Sequence, residues 1–229
     1  MSLDLLDHRV RPSAGEAEGA LVLLHGRGTS EHDLYPLLDV LDPHRRLVGI
    51  TPGGPLSLPP GGRHWYAIRR LGYPPPDTFI PTFQRLCAWL DALPGELDVP
   101  LARTVVGGFS QGAVMSYALA LGAGRPAPAG ILAMSGFLPT VEGLELDLSG
   151  RQGYPVAITH GTLDQIIGVE WGRDARDRLT AAGAEVLYRE SPVPHTVDPR
   201  VVPELTGWLR SAIDRSSPRA APPPRGAAG

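Results

Sequence analysis

Along most of the chain, short apolar runs alternate with stretches in which apolar residues recur every three to four positions. The runs at 20–24, 47–50, 104–106, 130–134, 155–159 and 185–188 predict strands. The stretches at 31–41, 77–92, 111–121, 169–182 and 198–214 carry apolar residues near i, i+3 and i+4 and predict helices. Thr51-Pro52, Gly95, Gly122-Ala123-Gly124 and Gly183 punctuate these elements. Strand and helix alternate, and the strands read as nearly continuous apolar runs. That order predicts an α/β fold with a mainly parallel twisted sheet covered by helices on both faces. Residues 5–10 predict an additional antiparallel edge strand. No repeat and no second domain is visible, so one domain is expected over residues 1–215.

Two regions break the pattern. Residues 52–76 are dense in Pro and Gly yet contain His64-Trp65-Tyr66. Two readings stand for them: a surface loop tucked onto the core, or a wall of a pocket over the strand ends. Residues 216–229 contain only Ser, Pro, Ala, Gly and Arg, too little apolar surface to fold, and are expected to be disordered.

Composition removes several function classes. The 229 residues are 42% hydrophobic, enough for one sizeable core. A net charge of −3 with scattered charges offers no nucleic-acid footprint and no polybasic anchor. Every basic residue is arginine, so there is no lysine for a Schiff base, a pyridoxal phosphate anchor or a P-loop. The lone cysteine, Cys87, rules out an internal disulfide and CxxC motifs, and it falls in an amphipathic helix as a core residue. The first residues carry acids and lack the layout of a signal peptide, and no segment reaches the length of a membrane span. A cytoplasmic protein, monomeric or homodimeric, is expected.

Chemistry enters at Gly107-Gly108-Phe109-Ser110-Gln111-Gly112, between the apolar strand at 104–106 and the helix at 111–121. Gly-x-Ser-x-Gly at a strand-to-helix junction is the nucleophile elbow of α/β-hydrolases, where a tight turn presents the serine hydroxyl. Chance produces this pentapeptide readily, so its weight depends on partners. A serine hydroxyl needs a base to take its proton, and the base needs a third group to hold its tautomer. Asp164 follows the strand at 155–159, and His195 follows the strand at 185–188. The order Ser, Asp, His is that of α/β-hydrolases, with each residue at a strand exit, where open sheets bind ligands.

Rivals fit less well. His160 precedes the candidate acid, which reverses the order, and reads as a buried histidine bonded to backbone. Asp198 sits too close to His195 and reads as a helix N-cap before Pro199. Ser135 ends a strand but lacks the preceding Gly-x. For the oxyanion, the backbone N–H of Gln111 lies at a helix start, and the N–H of Arg27 lies in the His25-Gly26-Arg27-Gly28 loop. His25 reads as a brace of that loop. The Arg27 side chain is either a contact for an anionic substrate or a plain surface charge.

Leu24-His25-Gly26-Arg27-Gly28, Trp65-Tyr66, the elbow, His160-Gly161-Thr162-Leu163-Asp164 and His195 together resemble the phospholipase/carboxylesterase family, relatives of acyl-protein thioesterases. The resemblance runs from about Ala20 to Leu209. It implies an α/β-hydrolase fold and a serine hydrolase of esters or thioesters. The catalytic residues it implies are Ser110, Asp164 and His195, with the backbone of Arg27 and Gln111 as oxyanion hole. Arg27, Thr29 and Gln165-Ile166-Ile167-Gly168 depart from the thioesterase pattern and favour the bacterial carboxylesterase branch.

The expected mechanism passes through an acyl-enzyme and uses no cofactor and no metal. Activity should rise as His195 loses its proton. Residues 137–154, about 18 in number, are too few for a helical lid, so the site should be uncapped. Trp65, Tyr66, Phe137, Leu138, Ile166 and Ile167 stand either as acyl-pocket walls or as core. The expected substrate is a small-molecule ester of short or medium acyl chain. Lysophospholipase or acyl-thioesterase activity is the nearest alternative. An amidase or a non-catalytic binding protein on the same fold is more distant, since substrate-binding insertions are missing and all three candidate catalytic residues are kept.

Overall fold

A computed structural model describes residues 3–215. The 216–229 segment, expected to be disordered, lies outside the described residues. The strands are β1 (His8–Arg11), β2 (Gly19–Leu24), β3 (Leu47–Pro52), β4 (Leu56–Leu58), β5 (Gly62–His64), β6 (Thr104–Phe109), β7 (Gly130–Met134), β8 (Pro155–Gly161) and β9 (Glu185–Ser191). The helices are α1 (Tyr35–Leu41), α2 (Pro76–Leu97), α3 (Gln111–Leu121), α4 (Val169–Ala181) and α5 (Val202–Arg215). The main sheet is seven-stranded in the order β1-β3-β2-β6-β7-β8-β9. Only β1 is antiparallel in this sheet, an edge strand on β3 as expected, although it begins at His8 and not at residue 5, where Leu3–Leu5 form a 3-10 turn. This is the α/β-hydrolase arrangement.

Alternation along the strands builds two cores. Val22, Leu24, Ile131 and Ala133 face α2, α3 and α4, whose Phe79, Leu86, Trp89, Met115 and Leu179 pack on them. Leu21, Leu23, Leu132 and Met134 point the other way, onto Leu38 and Leu41 of α1 and Leu205 and Leu209 of α5. With both faces buried, neither set of positions tolerates a charge, and the strands therefore read as continuous apolar runs. The α3 helix lies so deep that all of its residues are buried.

The structure departs from the sequence reading in several places, among them β8 and β9, which run on to Gly161 and Ser191, and α5, which starts at Val202 after a 3-10 turn. α1 starts at Tyr35 rather than 31, because Pro36 in its first turn suits a helix start and not an interior. α2 does not stop before Gly95. It runs through Pro81, Pro94 and Gly95 to a left-handed Asp98 (φ 53°), carried by the buried stripe of Phe79, Leu86, Trp89, Leu90 and Leu93. Residues 52–76 hold the small antiparallel hairpin β4–β5, which is bridged to the β2 exit loop through Thr29 and Arg63. Asp198 caps the 3-10 turn at Pro199–Val201, its carboxylate accepting the Arg200 N–H at 3.0 Å. Among the described residues, no helix is long and apolar enough to cross a membrane.

Candidate active site

The sheet register brings the carboxyl ends of β2, β6, β7, β8 and β9 to one edge. Leu24 lies opposite Gly108, Phe109 opposite Met134, Met134 opposite Thr159, and Gly161 opposite Ser191. The loops that leave these strands carry the Arg27, Ser110, Asp164 and His195 positions, distant in sequence and adjacent in space.

Ser110 occupies the turn between β6 and α3 with φ 56° and ψ −119°, a conformation that costs an L-residue about 1–3 kcal/mol. Its amide donates to the Met134 carbonyl at 2.9 Å, and its carbonyl accepts from Val114 at 3.2 Å, so the turn is held from both sides. The flanking glycines answer a steric demand. A Cβ on Gly108 would lie 2.5 Å from the Leu24 carbonyl oxygen, and one on Gly112 would overlap that same oxygen. The Gly-x-Ser-x-Gly spacing thus lets strand, turn and helix crowd against β2.

The Ser110 Oγ lies 2.9 Å from His195 Nε2, and His195 Nδ1 lies 2.6 Å from Asp164 Oδ2. A carboxylate only accepts, so the ring hydrogen sits on Nδ1, and Nε2 presents its lone pair to the serine hydroxyl. The other Asp164 oxygen accepts the Ile166 and Ile167 amides, both at 2.9 Å, which fixes the carboxylate plane. The His195 ring packs on Phe109 with centroids 4.7 Å apart. Asp164 is buried, whereas the His195 side chain keeps 18% exposure toward the cleft. His160 is buried, and its Nε2 donates to the Ile167 carbonyl at 2.8 Å, a backbone brace for the turn that carries Asp164.

The loop after β2 is braced by His25, whose Nδ1 donates to the Gly26 carbonyl at 2.6 Å. Its Nε2 accepts the Gly54 amide at 2.9 Å. Burial lowers the pKa of His25, so the ring is held neutral. Gly28 takes φ +87°, which turns the chain back after Arg27. Among the described residues, neither the Arg27 N–H nor the Gln111 N–H donates to a protein acceptor.

A cleft of about 250 Å³ opens over Ser110, Gln111 and His195. Tyr66, Phe137, Ile166 and Ile167 line it, together with Ile68, Leu71 and Phe109, which the sequence reading did not single out. Trp65 and Leu138 are corrections: neither lines the cleft. Trp65 is fully buried, its Nε1–H donating to the His25 carbonyl at 2.8 Å and its ring against the His25 ring. Leu138 is buried beside a separate depression with Tyr73 and Trp171. Tyr66 and Phe137 line the cleft, whereas the side chains of their chain neighbours Trp65 and Leu138 are buried away from it. The cleft also holds Thr29, already noted as a departure from the thioesterase pattern, and Asp33 and Arg70, which no motif marked. Gln111 has a further part: its side chain accepts the Trp65 amide at 3.1 Å and donates to the Tyr66 carbonyl at 2.9 Å.

Residues 6–213 match the model of the phospholipase/carboxylesterase family. The chain belongs to that family. Acyl-protein thioesterase 1 of Debaryomyces hansenii is 28% identical over 196 residues, covering 76% of this chain and 82% of the relative. Lysophospholipase-like protein 1 of Mus musculus is 25% identical over 216 residues, covering 87% and 89%. The crystal structure of the Bacillus cereus carboxylesterase superposes with a TM-score of 0.78 at 23% identity, covering 90% of this chain and 94% of that one. A carboxylesterase from Mesorhizobium loti gives 0.78 at 19% identity, covering 90% and 95%. At those identities the two structures establish the shared fold. Family membership makes this family member a hydrolase of the phospholipase/carboxylesterase group.

Proposed function

We propose that the protein is a serine esterase that hydrolyses carboxylic esters of short to medium acyl chain through an acyl-enzyme. The observation that carries this reading is the hydrogen-bonded chain from Ser110 through His195 to Asp164 at the floor of an open cleft. As the Ser110 oxygen attacks the ester carbonyl, His195 Nε2 takes the hydroxyl proton. Asp164 stabilises the imidazolium without itself becoming protonated. The Arg27 and Gln111 amides, free of protein acceptors among the described residues, donate to the oxyanion. His195 then returns the proton to the leaving alcohol. Water enters, loses a proton to the same nitrogen, attacks the acyl-serine, and releases the acid with Ser110 restored. No step requires a metal or an organic cofactor.

The acid chain is assigned to Tyr66, Phe137, Ile166 and Ile167, the apolar walls beside Ser110. No helix interrupts the segment between β7 and β8, so the cleft is not covered from that side. A second reading, thioester hydrolysis, is favoured by the similarity to an acyl-protein thioesterase. The same Ser110 chemistry would serve both. One experiment separates them: kcat/KM for matched 4-nitrophenyl esters and acyl thioesters of increasing chain length, on the wild type and Ser110→Ala. The esterase reading expects a maximum at short to medium esters and a loss of about 10⁴-fold or more in the variant. A maximum at C12 or longer, or a preference for thioesters, would replace it.

A further inference from the structure

The arginines around the cleft fall into two groups. Arg63 and Arg69 lie outside it and are neutralised, Arg63 by Asp7 at 2.5 Å and Arg69 by Asp77 at 2.6 Å. Arg27 and Arg70 line the cleft, and among the described residues neither has an ion-pair partner. The contrast is sharpest for Arg69 and Arg70, adjacent in the chain. The one paired with a carboxylate is not in the cleft wall, and the one in the wall is unpaired.

Both side chains rise from held backbone. Arg27 precedes Gly28, whose amide donates to the Arg63 carbonyl at 2.8 Å, and it follows the segment braced by His25. The Arg70 guanidinium lies over the Tyr73 ring, 4.1 Å from its centroid. Stacking on an aromatic face holds a guanidinium in place without removing its charge, and leaves the in-plane N–H groups free to donate. The acid in the cleft lining, Asp33, accepts the Thr29 hydroxyl at 3.0 Å and keeps its charge, so Arg27 and Arg70 outnumber it by one. Asp164, behind His195, is engaged by the ring and two amides. Two exposed arginines without an ion-pair partner among the described residues therefore lie at the rim of a cleft with largely apolar walls, in a protein whose net charge is −3. Low-dielectric walls focus such a field, and a guanidinium fork matches the geometry of a carboxylate or phosphate.

We infer that the cleft selects esters that carry an anion, a carboxylate or phosphate elsewhere in the substrate, received by Arg27 and Arg70. The inference rests on the esterase reading above and names its substrate class. The ester bond is broken as already described, and the anionic group takes no part in the chemistry.

The test compares kcat/KM for two matched pairs. In the first, 4-nitrophenyl hydrogen glutarate is set against its neutral methyl ester, placing a carboxylate on the acyl side. In the second, monobutyrylglycerol phosphate is set against monobutyrylglycerol, placing a phosphate on the alcohol side. The expected result is a preference of about tenfold for the anionic member of at least one pair. That preference should shrink between 0.1 and 1 M salt. It should fall several-fold in Arg70→Gln and toward unity in the Arg27→Gln, Arg70→Gln double variant, while Arg69→Gln keeps the wild-type ratio. Which pair shows it identifies the anion. Equal rates within both pairs, or a ratio that survives the double variant, would overturn the inference. Ser110→Ala on the same substrates keeps the two claims apart. Retained turnover there defeats the serine mechanism, whereas Ser110-dependent turnover without an anion preference defeats only the present inference.

Discussion

The Gln111 side chain ties the turn that carries Ser110 to the loop that walls the cleft: its amide nitrogen donates to the Tyr66 carbonyl at 2.9 Å. Its oxygen accepts the neighbouring Trp65 amide at 3.1 Å, so one buried side chain replaces two missing backbone partners. The aromatic wall is thereby registered against Ser110. Gln111→Leu keeps the backbone N–H but leaves a buried amide and a buried carbonyl unpaired. A loss of about 2–4 kcal/mol in urea unfolding is expected, two bonds at the usual cost of orphaned buried groups. KM should rise more than kcat falls, because Tyr66 lines the cleft, where we propose that it binds the acyl chain and takes no part in proton transfer. A variant with unchanged stability and unchanged KM would show that the clamp is idle.

Gly112 is required by contact with β2 rather than by turn geometry. Its would-be Cβ overlaps the Leu24 carbonyl oxygen, a backbone atom that cannot swing aside. Gly112→Ala should therefore destabilise by about 3 kcal/mol or more, although alanine is the better helix former. Denaturant midpoints measure it. Equal or greater stability in the variant would contradict the packing described.

Acid should weaken the fold through His25. Burial lowers the pKa of this residue from the ordinary 6.5, and burial lowers that of His64 as well. Below about pH 6.5 the unfolded chain takes up protons that the folded chain refuses. Unfolding then becomes easier as the pH falls through the window between the folded and unfolded values. This contribution is complete above the unfolded value and is lost below it. Urea midpoints at pH 7.5 and 5.5 should show lower stability at 5.5, and His25→Asn should flatten the difference. A midpoint that does not move would count against a neutral, buried His25.

Cys87 should be inert in the folded protein. Burial in α2 pushes its thiol up to about 11, so little thiolate exists at neutral pH. An aromatic disulfide reagent at pH 8 is expected to react slowly with native protein and quickly in 6 M guanidinium. Rapid reaction under native conditions would require an exposed site that α2 does not provide.

The legibility of this chain follows from which forces are local. The strands β2, β6, β7 and β8 announce themselves because burial on both faces demands continuous apolar runs. The Ser110, Asp164 and His195 positions are legible because strand exits bring them together whatever the details between. The β4–β5 hairpin was not, since strands of three residues hold too few positions to show a period. The course of α2 through Gly95 depends on a buried face that outweighs the local breaker. Which of Trp65 and Tyr66 faces the cleft depends on a bond to His25 from the far side of the loop. The state of Arg70 is set by the absence of a carboxylate partner among the described residues, a tertiary fact with no signature in its neighbours.

Covalent trapping distinguishes the proposed nucleophile, Ser110, from every other side chain. Treatment with a fluorophosphonate, followed by intact-mass and peptide mass spectrometry, should add one phosphonyl group per chain. That group should map to the peptide bearing Ser110, with esterase activity lost in the same proportion. Ser110→Ala should take up none. Loss of activity with the label on another residue, or full labelling of Ser110 with ester hydrolysis intact, would rule out Ser110 as the nucleophile.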